Sequence, residues 1–148
     1  MRRKQSRLGV AVLGRPPEGV TEEEVRSALE RAGRLLSLAA AEMTVRFAGD
    51  ATLRRFNRRF RGLDRPTDVL SFPSGERHGG GHLGDLLISR RRAEVQARRA
   101  GLEVRREVQE LALHGLLHLL GFDHQTDGGE MDRLELKLRS RVLEGAMR

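Results

Sequence analysis

Three histidines in the last third of the chain have the type and spacing of metal ligands. His114 and His118 are four residues apart, and His124 follows after Gly121. Residues four apart lie on one face of a helix, so two imidazoles at this spacing reach a single ion. A glycine in the left-handed conformation ends a helix, which turns the chain back and brings the third imidazole towards that face. Three imidazoles with one open position are typical of a catalytic zinc site.

The same spacing occurs in the metzincin proteases, whose motif is H-E-x-x-H-x-x-G-x-x-H. The glutamate that serves those proteases as general base is replaced here by Gly115. Ordinary metzincin proteolysis is therefore disfavoured, because activation of water at a peptide bond needs that base. The chain contains no cysteine, so any metal must be held by His and carboxylate ligands. We predict one Zn²⁺, although three imidazoles also suit nickel, copper or iron.

Two carboxylates lie close to these histidines in the sequence. Glu110 precedes His114 by four residues on the same helix face. It is a candidate general base, or a partner that orients an imidazole. Asp123 adjoins His124 and is a candidate to orient that ring. A structural hydrogen-bond acceptor is an equal explanation for either one, so the sequence leaves the general base open.

The charge balance favours a polyanionic partner. Lys and Arg number 28 against 21 Asp and Glu, a net charge of +7, and nearly all the cations are Arg. Nucleic acid is the first candidate partner, although solvated arginines are an equal explanation from charge alone. The chain has no Trp or Tyr, so any aromatic platform for bases must use Phe. If the partner is RNA, we expect its backbone to be bound more than its bases.

The apolar pattern predicts the elements that position these residues. We predict strands over 8–13, 44–48, 67–72 and 83–89. We predict helices over 21–40, 50–61, 89–101, 103–120 and 130–143, the first three capped by Thr21, Asp50 and Ser89. The glycine-rich stretch 74–82, with His78 and His82, is predicted to be an exposed loop.

This order of elements predicts an α+β (mixed α/β) fold in one domain spanning 1–148. We expect a roughly four-stranded mixed sheet backed by about five helices. The helix carrying His114 and His118 is apolar almost all round, so it should be buried. No apolar run is long enough to cross a bilayer, and no disulfides are possible. We therefore expect a cytoplasmic protein without a membrane partner.

The histidine segment, HGLLHLLGFDH over 114–124, resembles the signature of the YbeY-like endoribonucleases, a bacterial family of ribosomal-RNA maturation and ribosome quality control. Segment 56–73, FNRRFRGLDRPTDVLSFP, resembles the family's LN..YR..D.PTDVLSFP motif, and LGDLLIS at 83–89 resembles its lGDi.Is strand. Met131 and Glu135 fall in its closing M…E pattern. The resemblance covers roughly 47–143. Phe56 and Phe60 stand where the family usually has Leu and Tyr.

The resemblance implies that the three histidines bind a divalent metal, usually taken as zinc, and that Arg61 acts in catalysis. It implies a metal-dependent, single-strand-directed endoribonuclease of rRNA maturation, notably at the 16S 3′ end, and of ribosome quality control. The implied partners are rRNA, the small ribosomal subunit and possible ribosome-associated proteins. A guanidinium suits this role because it holds phosphate oxygens bidentately. Arg55, Arg58 and Arg59 are candidates to guide the RNA backbone, or a solvated helix face.

Two alternatives stay open at this stage. One is a non-catalytic, ribosome-associated RNA-binding factor whose metal only stabilises the fold. The other is a metal-dependent hydrolase of another substrate, including peptides, which the glycine at position 115 argues against. The sequence leaves the cleavage site, the product ends and the oligomeric state open.

Overall fold

The computed structural model describes residues 7–38, 40–75, 81–122 and 128–143. These residues form four strands, β1 (Gly9–Leu13), β2 (Ala41–Ala48), β3 (Val69–Pro73) and β4 (Gly81–Ser89). They also form five α-helices, α1 (Glu22–Leu35), α2 (Asp50–Arg61), α3 (Arg90–Ala100), α4 (Val104–Leu119) and α5 (Glu130–Leu138). A π-helical turn, Arg139–Leu143, follows α5. None of the helices in these ranges is long and apolar enough to cross a bilayer.

The four strands form one mixed sheet in the order β1-β2-β4-β3. The strands β1, β2 and β4 are parallel, and β3 runs antiparallel to β4. Helix α1 lies in the connection from β1 to β2, and α2 lies in the connection from β2 to β4, as parallel pairs require. The α+β prediction, with four strands and five helices, is confirmed.

Helices cover the sheet on both faces. Leu86 and Ile88 of β4 pack into the main core together with residues of α1 and α4. Leu87, which lies between them, packs instead against Leu53 and Leu70 in a smaller cluster under α2. This division follows from the strand geometry, because successive side chains point to opposite faces.

Helix α4 is the central helix of the main core, and the prediction that it is buried is confirmed. It is buried on most of its circumference, including Val108, Leu113 and Leu117. Its C-terminus ends as the sequence predicts. Gly121 has φ +98, its N–H donates to His118 O at 3.0 Å, and Phe122 N–H donates to Leu117 O at 3.0 Å. This is the Schellman arrangement, which glycine allows because it lacks a Cβ.

Two of the three predicted helix caps are correct. Thr21 forms a capping box with Glu24, and the Ser89 side chain accepts the N–H of Arg92. The cap predicted for α2 is wrong, because the N-cap is Gly49 and Asp50 is the first helical residue. Asp50 Oδ1 instead accepts the Ser89 hydroxyl at 2.8 Å, so this carboxylate joins α2 to the junction of β4 and α3.

Several predicted boundaries shift where strand pairing or backbone geometry overrides periodicity. Helix α1 ends at Leu35 rather than near residue 40, because Ser37 and Ala40 adopt positive φ. Strand β4 begins at Gly81, where it pairs with the start of β2, so the predicted loop is shorter. His82 lies on β4, and its Nε2 is 3.1 Å from Asp85 Oδ1. His78, Asp123 and His124 lie outside the described residues.

Candidate functional site

A cavity of about 790 Å³ opens beside α4, between β3, the end of α2 and the C-terminal helical segment. All of β3 contributes to its wall, together with Phe60 of α2. Its walls carry eight ionisable side chains: Arg61, Asp68, Glu107, Glu110, His114, His118, Glu135 and Arg139. Four of them come from one face of α4, so this helix supplies half of the ionisable side chains in the cavity wall.

His114 and His118 converge within this wall, as their spacing predicts. The two Nε2 atoms are 3.1 Å apart, and the rings meet edge to face with centroids 4.7 Å apart. The His114 side chain is 28% exposed, so the pair is accessible from the cavity but held by its surroundings. This separation is short enough for one metal ion to be held by both nitrogens, and without metal it is a hydrogen-bonding distance between the two rings.

Glu135 holds the ring of His114 from behind. Its Oε1 lies 2.9 Å from His114 Nδ1, and the glutamate is only 7% exposed. A carboxylate on Nδ1 selects the tautomer with hydrogen on that atom, which leaves the lone pair of Nε2 directed at a ligand. This pairing of carboxylate and imidazole is the usual support of a metal-binding histidine.

The contact between these two residues shifts both pKa values towards the ion pair. The hydrogen bond to Glu135 raises the pKa of His114, and this outweighs the opposite effect of burial. Burial would raise the pKa of Glu135, but the hydrogen bonds and charges of His114 and Arg139 hold it below its usual value. Without metal, the proton on His114 is therefore stabilised, and a metal ion must compete with it.

Glu110 lies in the cavity wall but is engaged by two arginines. Arg106 Nε donates to Glu110 Oε2 at 2.7 Å, and Arg139 Nη1 lies 3.8 Å from Glu110 Oε1. Arg139 Nη2 also donates to Glu135 Oε2 at 2.8 Å. Glu110 is thus linked to His114 through Arg139 and Glu135. This geometry supports the orienting role considered for Glu110, and its action as general base stays a prediction.

Sequence reasoning missed Glu107 and gave Glu135 no role beyond its motif position. Glu107 lines the same cavity, and burial, followed by the charges of Glu110 and Asp68, raises its pKa. Its spacing of three and seven residues from Glu110 and His114 was a signal that placed it on their face. Glu135 carried a weaker signal, a carboxylate at helical spacing from apolar neighbours on α5.

Two of the aspartates in the family motifs, Asp68 and Asp85, lie in different places. Asp68 Oδ1 accepts the N–H of Val69 at 2.7 Å, and Oδ2 accepts Gln96 Nε2 at 3.2 Å. Asp68 therefore ties β3 to α3 while lining the cavity. Asp85 is exposed beside His82 and does not line the cavity. The structure supports a bracing role for Asp68.

Arg61, the last residue of α2, extends into the cavity wall. Gly62 ends the helix in the left-handed conformation, with φ 73. The structure thus brings Arg61 to the same cavity as the two histidines, and its part in catalysis stays a prediction. Arg55, Arg58 and Arg59 lie on the exposed surface of α2 and are not part of the cavity wall.

Position 115 faces the sheet and not the cavity. A Cβ on Gly115 would lie 2.7 Å from Leu86 Cδ2, and Leu86 is completely buried. A glutamate here would be driven into the core instead of reaching a bound water. The difference from the metzincin motif therefore has a packing reason: α4 lies too close to β4 for any side chain at this position.

The side chains of this wall fit a divalent metal. Two imidazole Nε2 atoms lie 3.1 Å apart, and one of the rings is braced by a buried carboxylate. Within the parts of the chain that the structure describes, no group of three His, Asp or Glu side chains is arranged to hold an ion. The third ligand predicted from sequence, His124, lies outside those parts.

Comparisons with known proteins agree with this architecture. The sequence profile of the family described as Endoribonuclease YbeY matches residues 17–142. The match includes α1 and β2, where no motif was recognised. The chain is similar to Endoribonuclease YbeY of Solibacter usitatus, at 48% identity over 79% of each chain. It is also similar to Endoribonuclease YbeY of Aquifex aeolicus, at 42% identity over 84% of this chain and 83% of the relative.

A solved structure is also similar to this chain. It is the solution structure of TM1509 from Thermotoga maritima, with a TM-score of 0.66 and 26% identity. The alignment covers 93% of this chain and 91% of that one. The similarity therefore extends over the whole fold.

Proposed function

Because this chain belongs to the Endoribonuclease YbeY family, we propose that it is a metal-dependent endoribonuclease that cleaves single-stranded regions of ribosomal RNA during rRNA maturation. The observation that carries the metal-dependent part is the His114–His118 pair, converging at 3.1 Å and braced by the buried Glu135 within the cavity. The names of the relatives indicate RNA cleavage as the reaction, and the cavity contains side chains that suit this reaction.

His114 and His118 would hold the metal through Nε2, and His124 is the third ligand predicted from the sequence. Zinc is the first candidate, and other divalent transition metals suit the same ligands. When bound, such an ion supplies Lewis-acid activation of water and of phosphoryl oxygens. Glu135 would keep the His114 ring in the ligating orientation. Arg139 donates to Glu135 and also lies within ion-pair distance of Glu110.

Arg61 would bind the phosphate that is cleaved. Its guanidinium lines the same cavity as the histidines. Two parallel hydrogen bonds to non-bridging oxygens strengthen as negative charge builds in the transition state. The exposed arginines of α2 would add attraction for the RNA backbone that does not depend on sequence.

The proposed substrate also defines partners and location. Ribosomal RNA of the small subunit, including the 16S 3′ end, is the proposed substrate, and ribosome quality control is the proposed setting. Such a substrate places the protein in the cytoplasm, in contact with the small ribosomal subunit and its associated proteins.

The decisive experiment combines metal analysis with RNA cleavage. Elemental analysis should find about one metal per chain, as a single three-histidine site requires. His118→Ala should lose both the metal and the cleavage of rRNA fragments. Metal binding without any cleavage would instead favour an RNA-binding factor with a structural metal. A wild-type protein that takes up no metal after incubation with zinc would refute the metal-dependent mechanism.

A further inference from the structure

Three phenylalanines from α2 and β3 form an aromatic cluster at the cavity. The rings of Phe56 and Phe60 are nearly parallel, at 7°, with centroids 5.8 Å apart. Phe72 meets Phe60 edge to face at 5.4 Å and Phe56 at 6.2 Å. Each ring therefore contacts the other two, which fixes the orientation of Phe60.

Phe60 differs from its two partners in exposure. Phe56 and Phe72 are partly buried against the smaller core cluster, whereas Phe60 is 56% exposed and lines the cavity. Core packing accounts for the two buried rings but leaves more than half of the Phe60 surface in water. A flat apolar ring held rigid at the rim of a cavity is preorganised, so a ligand that stacks on it loses little conformational entropy.

Two arginines contact the aromatic cluster. The guanidinium carbon of Arg59 lies over the Phe60 ring, 5.5 Å from its centroid, and that of Arg55 lies over the Phe56 ring at 5.9 Å. A base that stacks on Phe60 therefore takes the place of the exposed Arg59 side chain, which leaves that guanidinium beside the base. Across the described part of the chain, no carboxylate lies within ion-pair distance of Arg55, Arg59 or Arg61. An aromatic face next to unneutralised guanidinium groups matches the alternation of base and phosphate in single-stranded nucleic acid.

We propose that Phe60 is a stacking platform for one unpaired RNA base, with Arg59 binding an adjacent phosphate, so that the neighbouring phosphate enters the cavity. This inference rests on the proposed function for its choice of RNA as the ligand. It adds a base contact to the backbone contacts expected from charge. Every base has a π face, so the platform is tolerant of sequence, and it selects single strands because the bases of a duplex are already stacked.

Fluorescence anisotropy with a labelled single-stranded oligoribonucleotide tests the platform, with gels verifying that the RNA stays intact. Stacking of one base predicts that Phe60→Leu binds about 5- to 100-fold more weakly, while Phe60→Tyr stays within about twofold of wild type. The slope of log Kd against log salt should not change in Phe60→Leu. In Arg59→Ala it should fall by about 0.7, because one phosphate contact is lost. Leu136→Ala, an exposed apolar control on α5 that is 65% exposed, should bind as wild type does.

A second measurement changes the RNA instead of the protein. An oligonucleotide of equal length and charge that carries abasic sites should bind wild-type protein as weakly as intact RNA binds Phe60→Leu. Equal affinity for abasic and intact RNA, or equal affinity of Phe60→Leu and Phe60→Tyr, would overturn the platform, as would a wild type that binds no single-stranded RNA. Cleavage is scored separately. Base-dependent binding without cleavage would refute the nuclease and leave the platform standing.

Discussion

His114 Nδ1 and Glu135 Oε1 are 2.9 Å apart, although the two residues are 21 positions apart in the chain and lie on different helices. The contact joins α4 to α5 and fixes which nitrogen of His114 faces the cavity. It also makes the geometry of the candidate metal centre depend on the docking of α5.

Glu135→Gln should weaken metal binding about 10- to 100-fold, the usual cost of losing the carboxylate behind a ligating histidine. The amide keeps the size of the side chain but cannot supply the negative charge that makes Nε2 a better donor. Competition with a chelator of known affinity measures the change. Asp132→Asn, an exposed carboxylate on the same helix, is the matched control. Equal affinity of Glu135→Gln and wild type would refute the bracing role.

The stability of the metal-free protein should depend on pH through the same pair. The pKa of His114 is raised above its usual 6.5. Its contribution to the free energy of unfolding is therefore complete below pH 6.5 and is lost as pH rises through the pKa of the folded state. The pKa of Glu135 is lowered below its usual 4.5. Its contribution to the free energy of unfolding is therefore present above pH 4.5 and is lost as pH falls through the pKa of the folded state.

The pair therefore stabilises the fold most between about pH 4.5 and 6.5. Denaturant unfolding of metal-free wild type and Glu135→Gln across pH measures this. The difference in the free energy of unfolding should peak in that window and shrink on both sides. A difference that does not vary with pH would show that the two residues are not ion-paired in solution.

Arg61→Ala should lower kcat for RNA cleavage by about 100-fold or more, the usual effect of removing one donor to a transition-state oxyanion. KM should change little, because the other arginines of α2 still attract the RNA backbone. Steady-state kinetics on a single-stranded fragment separates the two constants. Arg58→Ala, one turn earlier and outside the cavity wall, should keep kcat. Full activity of a folded, metal-loaded Arg61→Ala would remove Arg61 from the mechanism.

Gly115→Ala should destabilise the protein by up to about 2 kcal/mol. The new Cβ would lie 2.7 Å from a methyl of the buried Leu86, and overpacking a core usually costs about 1–3 kcal/mol. The preference of a helix interior for alanine offsets about 1 kcal/mol of that cost. Thermal unfolding measures the change. Gly128→Ala, where no described residue lies within 4 Å of the added Cβ, is the control and should have a small effect. A stabilised Gly115→Ala would show that the helix can move away from the sheet.

The elements and their order could be predicted from the sequence, because their signals are local. The capping box at Thr21, the cap at Ser89 and the glycine that ends α4 depend only on residues within one helical turn. The convergence of His114 and His118 is equally local, since helix geometry places residues four apart on one face.

The combination of distant segments at the site could not be predicted in this way, because it depends on tertiary packing. No periodicity shows that Glu135 lies behind His114, that Arg139 links it to Glu110, or that Gly115 touches Leu86. These contacts depend on how α5 and β4 pack against α4, which is set by the shape of the whole core. Strand pairing acts in the same way, because β4 starts at Gly81 only where β2 supplies its hydrogen bonds. The sequence thus identified the ligating pair, and the packing of distant elements built the site around it.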